Sequence, residues 1–336
     1  MKFFKAFLVL GFLLLPFLVF SQGKISGYMF GDYYFIPKHH DSAVEDQNGF
    51  WFRRIYFTYD HKLDEKFFTR FRLELNSPGD FKTKDKIKPY VKDAYIGMVL
   101  GKSKGYLGIS PTPTWEFLEE FWGYRAVEKT PADLYKHSSS RDFGLAFRGS
   151  LNDSLSYHFM VANGEGDSSE VNKDKKAYFS MLFKKGIFNF EVYADYGQGE
   201  NHTASNMYQG ILGLKNKNIT FGFQYYKYTK QQGKGVDDLE NDVFSAFFNL
   251  NLSEKATLLL RVDKSDDPNP SIASQSYIPF SKTNPFMFYL AGIDIKVMKN
   301  LSIIPNIEYV KYEKYNGLKV DSDMYARVTF YYKWSQ

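Results

Sequence analysis

Arginines, lysines and carboxylates at regular spacing carry most of the chemistry available to this chain. Glu116, Glu119 and Glu120 fall in a segment that opens Thr112-Pro113 and ends at Gly123, the start and stop signals of a helix. On that helix Trp115, Leu118, Phe121 and Trp122 share one face, with the three glutamates mostly opposite. Arg54, Arg70, Arg72, Arg148, Lys184, Lys215, Arg261 and Arg327 take alternate positions in extended stretches. So do Glu74, Asp93, Asp142, Glu191, Asp195, Asp263, Asp294, Glu308 and Asp323. Arg125, just past the helix, joins the same candidate constriction. Rows of opposite charge facing each other across water sort ions and polar solutes by sign. The spacing predicts such a transverse field, with Arg54, Arg70 and Arg72 facing Glu116, Glu119 and Glu120. The bland alternative is mutual neutralisation that merely stiffens the interior. The two signs nearly balance on the alternating positions, so no anion preference follows from them.

Other chemistries have weaker signals. His137 beside Ser138, Ser139 and Ser140 is the one suggestive nucleophile–base cluster, but it sits at a loop end with no matched orienting residue. His39-His40-Asp41 offers metal-ligand types, yet adjacent histidines in an extended chain point apart. Asp263, Asp266 and Asp267 have no calcium-loop spacing. Gly164-Glu165-Gly166 and Gly197-Gln198-Gly199 are not followed by the helix a phosphate-binding glycine motif needs. Tyr178, Tyr193, Tyr226, Tyr325 and Tyr331 alternate inward and suit a sliding surface for sugars, although tyrosine is common in such strands anyway. There is no cysteine, which removes disulfides, thiol catalysis and thiolate metal sites. No enzymatic reaction and no cofactor are expected.

The elements that must position these residues are short stretches of alternating apolar and polar residues. Met324, Ala326, Val328, Phe330, Tyr332 and Trp334 form one face, and Asp323, Tyr325, Arg327, Thr329, Tyr331 and Lys333 the other. Sixteen such strands are expected. They fall near 24–35, 50–60, 67–76, 90–100, 106–111, 141–151, 155–163, 176–184, 187–196, 207–216, 219–229, 241–252, 256–264, 286–297, 301–313 and 321–334. Their connections alternate between tight turns and longer loops, of which 112–140 is the third long one. A membrane-spanning strand needs only about 9–11 residues, with every second side chain facing lipid. The fold class is therefore all-β, a transmembrane antiparallel barrel with its third long loop folded inward. Short turns and both termini are expected on the periplasmic side. Arg53, Lys92, Arg141, Lys227 and Lys311 fall on the presumed lipid face, all at the long-loop end of their strands, where they reach water or lipid phosphate.

The N-terminus reads as an export signal over 1–21: Lys2 and Lys5, an apolar run from Ala6 to Phe20, and small residues Val19 and Ser21 before cleavage. The mature chain, 22–336, is one barrel. Aromatic residues make up 19% of the sequence, as girdles at both membrane interfaces require. Mean hydropathy is nevertheless negative, which fits a wet interior. The net charge of +5 falls to +3 once Lys2 and Lys5 are removed, too little for nucleic-acid binding.

The chain resembles bacterial outer-membrane porins, in particular the phosphate-selective porin O and P family of Bacteroidetes type. The resemblance rests on the strand end Gly108-Ile109-Ser110-Pro111-Thr112-Pro113-Thr114, the long segment Trp115–Lys136, and the re-entry Ser140-Arg141-Asp142-Phe143-Gly144. It implies a sixteen-stranded barrel in the outer membrane, often a homotrimer, with the third loop in the pore. It also implies insertion by the outer-membrane assembly machinery, although this chain runs past Trp334 to Ser335 and Gln336 where many barrels end on an aromatic. The family's phosphate-binding ladder does not align residue by residue. The expected function is passive diffusion of small hydrophilic solutes or ions, including anions such as phosphate. The alternative is a non-conducting barrel for surface recognition or adhesion.

Overall fold

Successive side chains of an extended chain point to opposite faces, and the strands of this protein use that alternation the same way. A computed structural model describes residues 23–199, 203–270, 272 and 277–335; the export signal expected over 1–21 lies outside them. The first eight strands are β1 (Lys24–Lys38), β2 (Asn48–Lys62), β3 (Phe67–Asn76), β4 (Lys88–Leu100), β5 (Ser103–Pro111), β6 (Arg141–Ser150), β7 (Leu155–Ala162) and β8 (Lys175–Lys185). The rest are β9 (Phe188–Gln198), β10 (Ser205–Lys215), β11 (Ile219–Lys230), β12 (Leu239–Asn251), β13 (Ala256–Ser265), β14 (Phe286–Met298), β15 (Leu301–Tyr312) and β16 (Asp323–Ser335). Each pairs antiparallel with its sequence neighbours, and β1 pairs with β16, so the sheet closes into a barrel with no free edge. The seam runs in register from Ser26 opposite Ser335 to Phe35 opposite Ala326. The sixteen expected strands are all present, most of them extended by one to three residues at an end.

In β9, Phe190, Val192 and Tyr196 face out and are exposed, while Glu191, Tyr193 and Asp195 face in and are buried. In β16 Val328 is exposed, while Asp323, Tyr325, Arg327 and Thr329 are buried. Exposed apolar side chains thus recur around the outside: Leu107, Leu145, Phe179, Leu212, Phe223, Leu260, Ile293 and Ile307 among them. The inside holds the carboxylates, guanidiniums and hydroxyls. It also holds an apolar cluster, with Met160, Ile211, Val243, Leu259 and Phe288 among its members, while the exposed apolar outside is what hydrocarbon surroundings require.

Three of the five basic residues expected on the outward face turn inward instead. Between Phe30 opposite Arg54 and Gly31 opposite Phe52, the β1–β2 register shifts by one residue. Arg53 is the extra residue of that bulge, so Arg53 and Arg54 both enter the barrel. Arg53 is fully buried, with Nε 2.8 Å from Asp32. A second bulge between Arg72/Asp93 and Leu73/Val91 brings Lys92 to 3.4 Å from Glu74. Arg141, the first residue of β6, is buried in an ion pair with Asp93. Only Lys227, paired with Glu240 at 2.6 Å, and Lys311 stay on the outer side. The physical reason is the buried carboxylates of Asp32, Glu74 and Asp93. Left unpaired, each costs more than the one ladder position a bulge leaves open.

Candidate functional site

The third long connection, between β5 and β6, holds the candidate site. Its helix α1 (Pro113–Trp122) begins and ends where its residues dictate: Thr112 caps it in an extended conformation, Pro113 occupies the first turn, and Gly123 closes it at φ +76°. There the Gly123 N–H donates to Glu119 O at 2.9 Å. A short helix, α2 (Pro131–Leu134), follows. Phe117, Leu118, Phe121 and Trp122 are buried. Phe121 and Trp122 meet Phe247 of β12 edge-on at 5.9 and 5.1 Å between ring centroids. The buried face therefore includes Phe117 where Trp115 was expected. Trp115 instead lies under the Arg141 guanidinium, 4.2 Å from its ring centroid.

A loop this deep must find partners for its backbone, and the barrel wall supplies them. Arg53 donates to Val127 O at 2.6 Å and also to Ala126 O. Asn249 donates to Trp122 O at 3.0 Å and Asn269 to Tyr135 O at 2.7 Å. Arg261, held by Asp263 through Nε at 2.9 Å, donates to Lys129 O. The Tyr135 hydroxyl donates to Asp263 Oδ2 at 2.6 Å, and that of Thr114 to Tyr193 at 2.5 Å. Arg327 pairs with Glu308 at 2.5 Å and lies 3.6 Å from Glu128 of the loop. These bonds come from strands around the barrel, so the segment lies across its interior.

Two cavities flank the segment, of about 770 and 750 Å³. The first lies toward the long loops and includes Asp80, Lys88, Asp167 and Ser205 in its wall. The second lies toward the short turns and includes Asn216, Lys217, Lys299 and Asn300. Among the described residues Arg125 is the single one that lines both. Its Nε is 3.2 Å from Glu119 and its Nη2 3.9 Å from Asp133. Burial pushes the Glu119 carboxyl up to about 7 against the opposing pull of Arg125. Burial also drives Lys129 well below its ordinary value, although Asp133, 3.4 Å away, opposes it.

The residues singled out from sequence divide by location. Arg70, Arg72, Glu116, Glu119, Glu120, Arg125 and Arg148 line the short-turn cavity together, and Arg54 lines the long-loop one. Glu74, Arg261 and Arg327 line neither. Glu74 holds Arg54 at 2.8 Å, and the two arginines are anchors for the loop. Arg70 and Arg72 do stand across a cavity from the loop glutamates, but their ion pairs are made elsewhere. Arg70 binds Asp60 at 2.7 Å and Arg72 binds Asp93 at 3.2 Å. Glu116 pairs with Arg148, with His158 3.3 Å away. The loop anchors Arg53, Asn249 and Asn269 went unrecognised from sequence. Adjacent arginines at 53–54 were the available signal, since strict alternation cannot bury both.

The remaining clusters resolve as follows. His137 is buried, its ring nitrogens 2.9 Å from Tyr226 Oη and 2.9 Å from Asn269 Nδ2, while Ser138 bonds Thr114 and Ser139 bonds Arg141 O. No nucleophile–base pair is assembled there among the described residues. Asp263 is taken by Arg261 and Asp266 by Lys264, so the aspartates do not converge. The expectation that His39 and His40 point apart is overturned. Beyond β1 the chain is no longer extended, and the two rings stack 4.4 Å apart beside Asp323.

No protein-family model matches the chain, and no curated protein matches it in sequence. Solved structures do match. An anion-selective porin from Comamonas acidovorans superposes with a TM-score of 0.69 at 12% identity, covering 93% of this chain and 99% of that one. The outer membrane channel DcaP of Acinetobacter baumannii gives 0.64 at 10% identity, over 93% and 97%. A trimer form of OmpT, an outer membrane protein of Vibrio cholerae, gives 0.64 at 11%, over 93% and 99%. The likeness is one of fold: a closed antiparallel barrel of sixteen strands, as in outer-membrane porins.

Proposed function

We propose that this chain is an outer-membrane porin, a passive channel for small hydrophilic solutes narrowed by its third long loop at Arg125. The observation that carries the reading is the pair of cavities on opposite sides of that loop with Arg125, among the described residues, as their one shared wall residue. A solute crossing the barrel passes this guanidinium. The exposed apolar outer face supports the membrane location, and the resemblance to phosphate-selective porins and the fold likeness to an anion-selective one support the class. Export by the 1–21 leader, periplasmic termini, insertion by the assembly machinery and a homotrimer belong to the same proposal.

Small anions, phosphate among them, are the favoured solutes. The inward strand positions nearly balance, but loops and turns tilt the cavities. Leaving Lys129 aside, the long-loop cavity carries Arg54, Lys86, Lys88, Lys92, Arg125, Lys136 and Lys176 against Asp80, Asp85, Asp133 and Asp167. In the short-turn cavity Arg70, Arg72, Arg125, Arg141, Arg148, Lys215, Lys217, Lys296, Lys299 and Lys333 face Glu116, Glu119, Glu120 and Asp294. A cationic excess on both sides of a narrowing raises the local anion concentration. The test is insertion of purified protein into planar bilayers under a KCl gradient. Discrete steps with a reversal potential on the chloride side are expected, with phosphate reducing the chloride current. Repeated insertions without steps would favour a non-conducting recognition barrel.

A further inference from the structure

At the long-loop mouth, away from Arg125, His39 and His40 meet the first residue of β16. We propose that His39, His40 and Asp323 form a divalent-metal site of the two-imidazole, one-carboxylate kind that takes Zn²⁺.

The ligand atoms of these three side chains lie within 4.8 Å of one another. His40 Nδ1 is 2.9 Å from each oxygen of Asp323, and His39 Nε2 is 3.9 Å from Oδ2. Ligands about 2.1 Å from a tetrahedral zinc are roughly 3.4 Å apart. These two separations bracket that figure, and the third, between the imidazoles, lies within 4.8 Å, so the rings must draw together to admit the ion.

A second observation is independent of these distances. The His39 side chain is 1% exposed, and its Nε2, aimed at Asp323, has no hydrogen-bond partner. A buried ring nitrogen left so is costly unless something occupies its lone pair or its proton. The other nitrogen, Nδ1, lies 3.1 Å from Asp41 O. The Asp41 N–H also donates to Nδ1, at 2.9 Å, an arrangement that leaves the proton on Nε2; binding an ion there takes the other tautomer, in which Nδ1–H donates to Asp41 O and the Nε2 lone pair turns into the site. Asp323 is fully buried and oriented from behind by the Tyr312 hydroxyl at 2.6 Å and the His40 N–H at 2.7 Å. A divalent ion would add positive charge to a buried carboxylate that otherwise faces the two imidazoles. The His40 side chain, 21% exposed, leaves a path for the ion and room for water as a fourth ligand. Two imidazoles and one carboxylate select zinc and its late first-row neighbours over calcium or magnesium.

The test uses full-length protein in detergent, free of any polyhistidine tag and stripped with chelator, titrated calorimetrically with ZnCl₂. One zinc per chain is expected. His40→Ala and Asp323→Asn should each weaken binding at least tenfold, and His61→Ala, at a half-buried histidine on the opposite end, should not. Co²⁺ added to the wild-type chain should give visible d–d absorption that zinc abolishes, a readout that requires no variant to fold. No zinc uptake by the wild type, unchanged affinity in His40→Ala, or Co²⁺ spectra identical to the free ion would overturn the proposal. Conductance is measured separately, so failure here leaves the channel reading standing.

Discussion

Replacing Arg125 with alanine puts the junction of the two cavities to a quantitative test. At water's dielectric a unit charge passing about 5 Å from the guanidinium gains or loses about 0.8 kcal/mol, so anion and cation differ by about 1.6 kcal/mol. Glu119 sits 3.2 Å from Arg125 and offsets part of this. At pH 8, with its carboxylate ionised and about 8 Å from the passing ion, roughly 0.6 kcal/mol of discrimination remains, about threefold. A lower effective dielectric at the narrowing takes it toward tenfold. Arg125→Ala removes the cation beside Glu119, while Asp133 keeps Lys129 3.4 Å away, so the anion-to-cation permeability ratio should fall by at least threefold and move toward cations. Conductance should rise, because the side chain that bounds both cavities is gone. The assay is single-channel recording under a KCl gradient near 0.1 M, where the screening length of about 10 Å preserves the effect. Arg125→Lys should retain most of the selectivity. If Arg125→Ala keeps both the reversal potential and the step size of the parent, the path does not run past this residue.

Three further outcomes follow from the same geometry. Burial lifts the Glu119 carboxyl to about 7, so it gains a proton as pH falls from 8 to 6 and Arg125 loses its counter-charge. Reversal potentials should then shift toward anions over that window, and the shift should vanish in Glu119→Gln. Arg53→Met removes the donor to the Val127 and Ala126 carbonyls and leaves Asp32 without its guanidinium. A loss of about 3–5 kcal/mol is expected, read as a lower midpoint of the heat-induced gel-mobility shift and as protease cleavage within 112–140. A Cβ at Gly213 on the inner face of β10 would overlap the Phe121 ring. Gly213→Val should therefore displace α1 and change the conductance, while Gly210→Ala, three residues earlier and with open space around it, should not.

Much of this architecture is legible in one dimension, because hydrocarbon outside and water inside impose a period of two on every strand. The run Asp323–Trp334 shows it without help from any partner. Helix α1 is legible for a local reason: Thr112-Pro113 and Gly123 set its ends whatever surrounds it. The membership of the inner wall, including Arg70, Arg72 and Arg148, follows from the same alternation.

Contacts between distant segments decided the rest. Arg53 turns inward because Asp32 and the carbonyls of residues 126–127 wait there, and a bulge is the one-residue slip that lets it comply. The buried face of α1 takes in Phe117 and releases Trp115 because Arg141, arriving from the other end of the loop, covers the indole. His39 and His40 converge because closing β1 against β16 brings Asp323 beside them from 283 residues away. Local sequence dictates which faces are greasy and where a helix starts and stops. Which charge meets which is an electrostatic choice among partners that only barrel closure brings within reach.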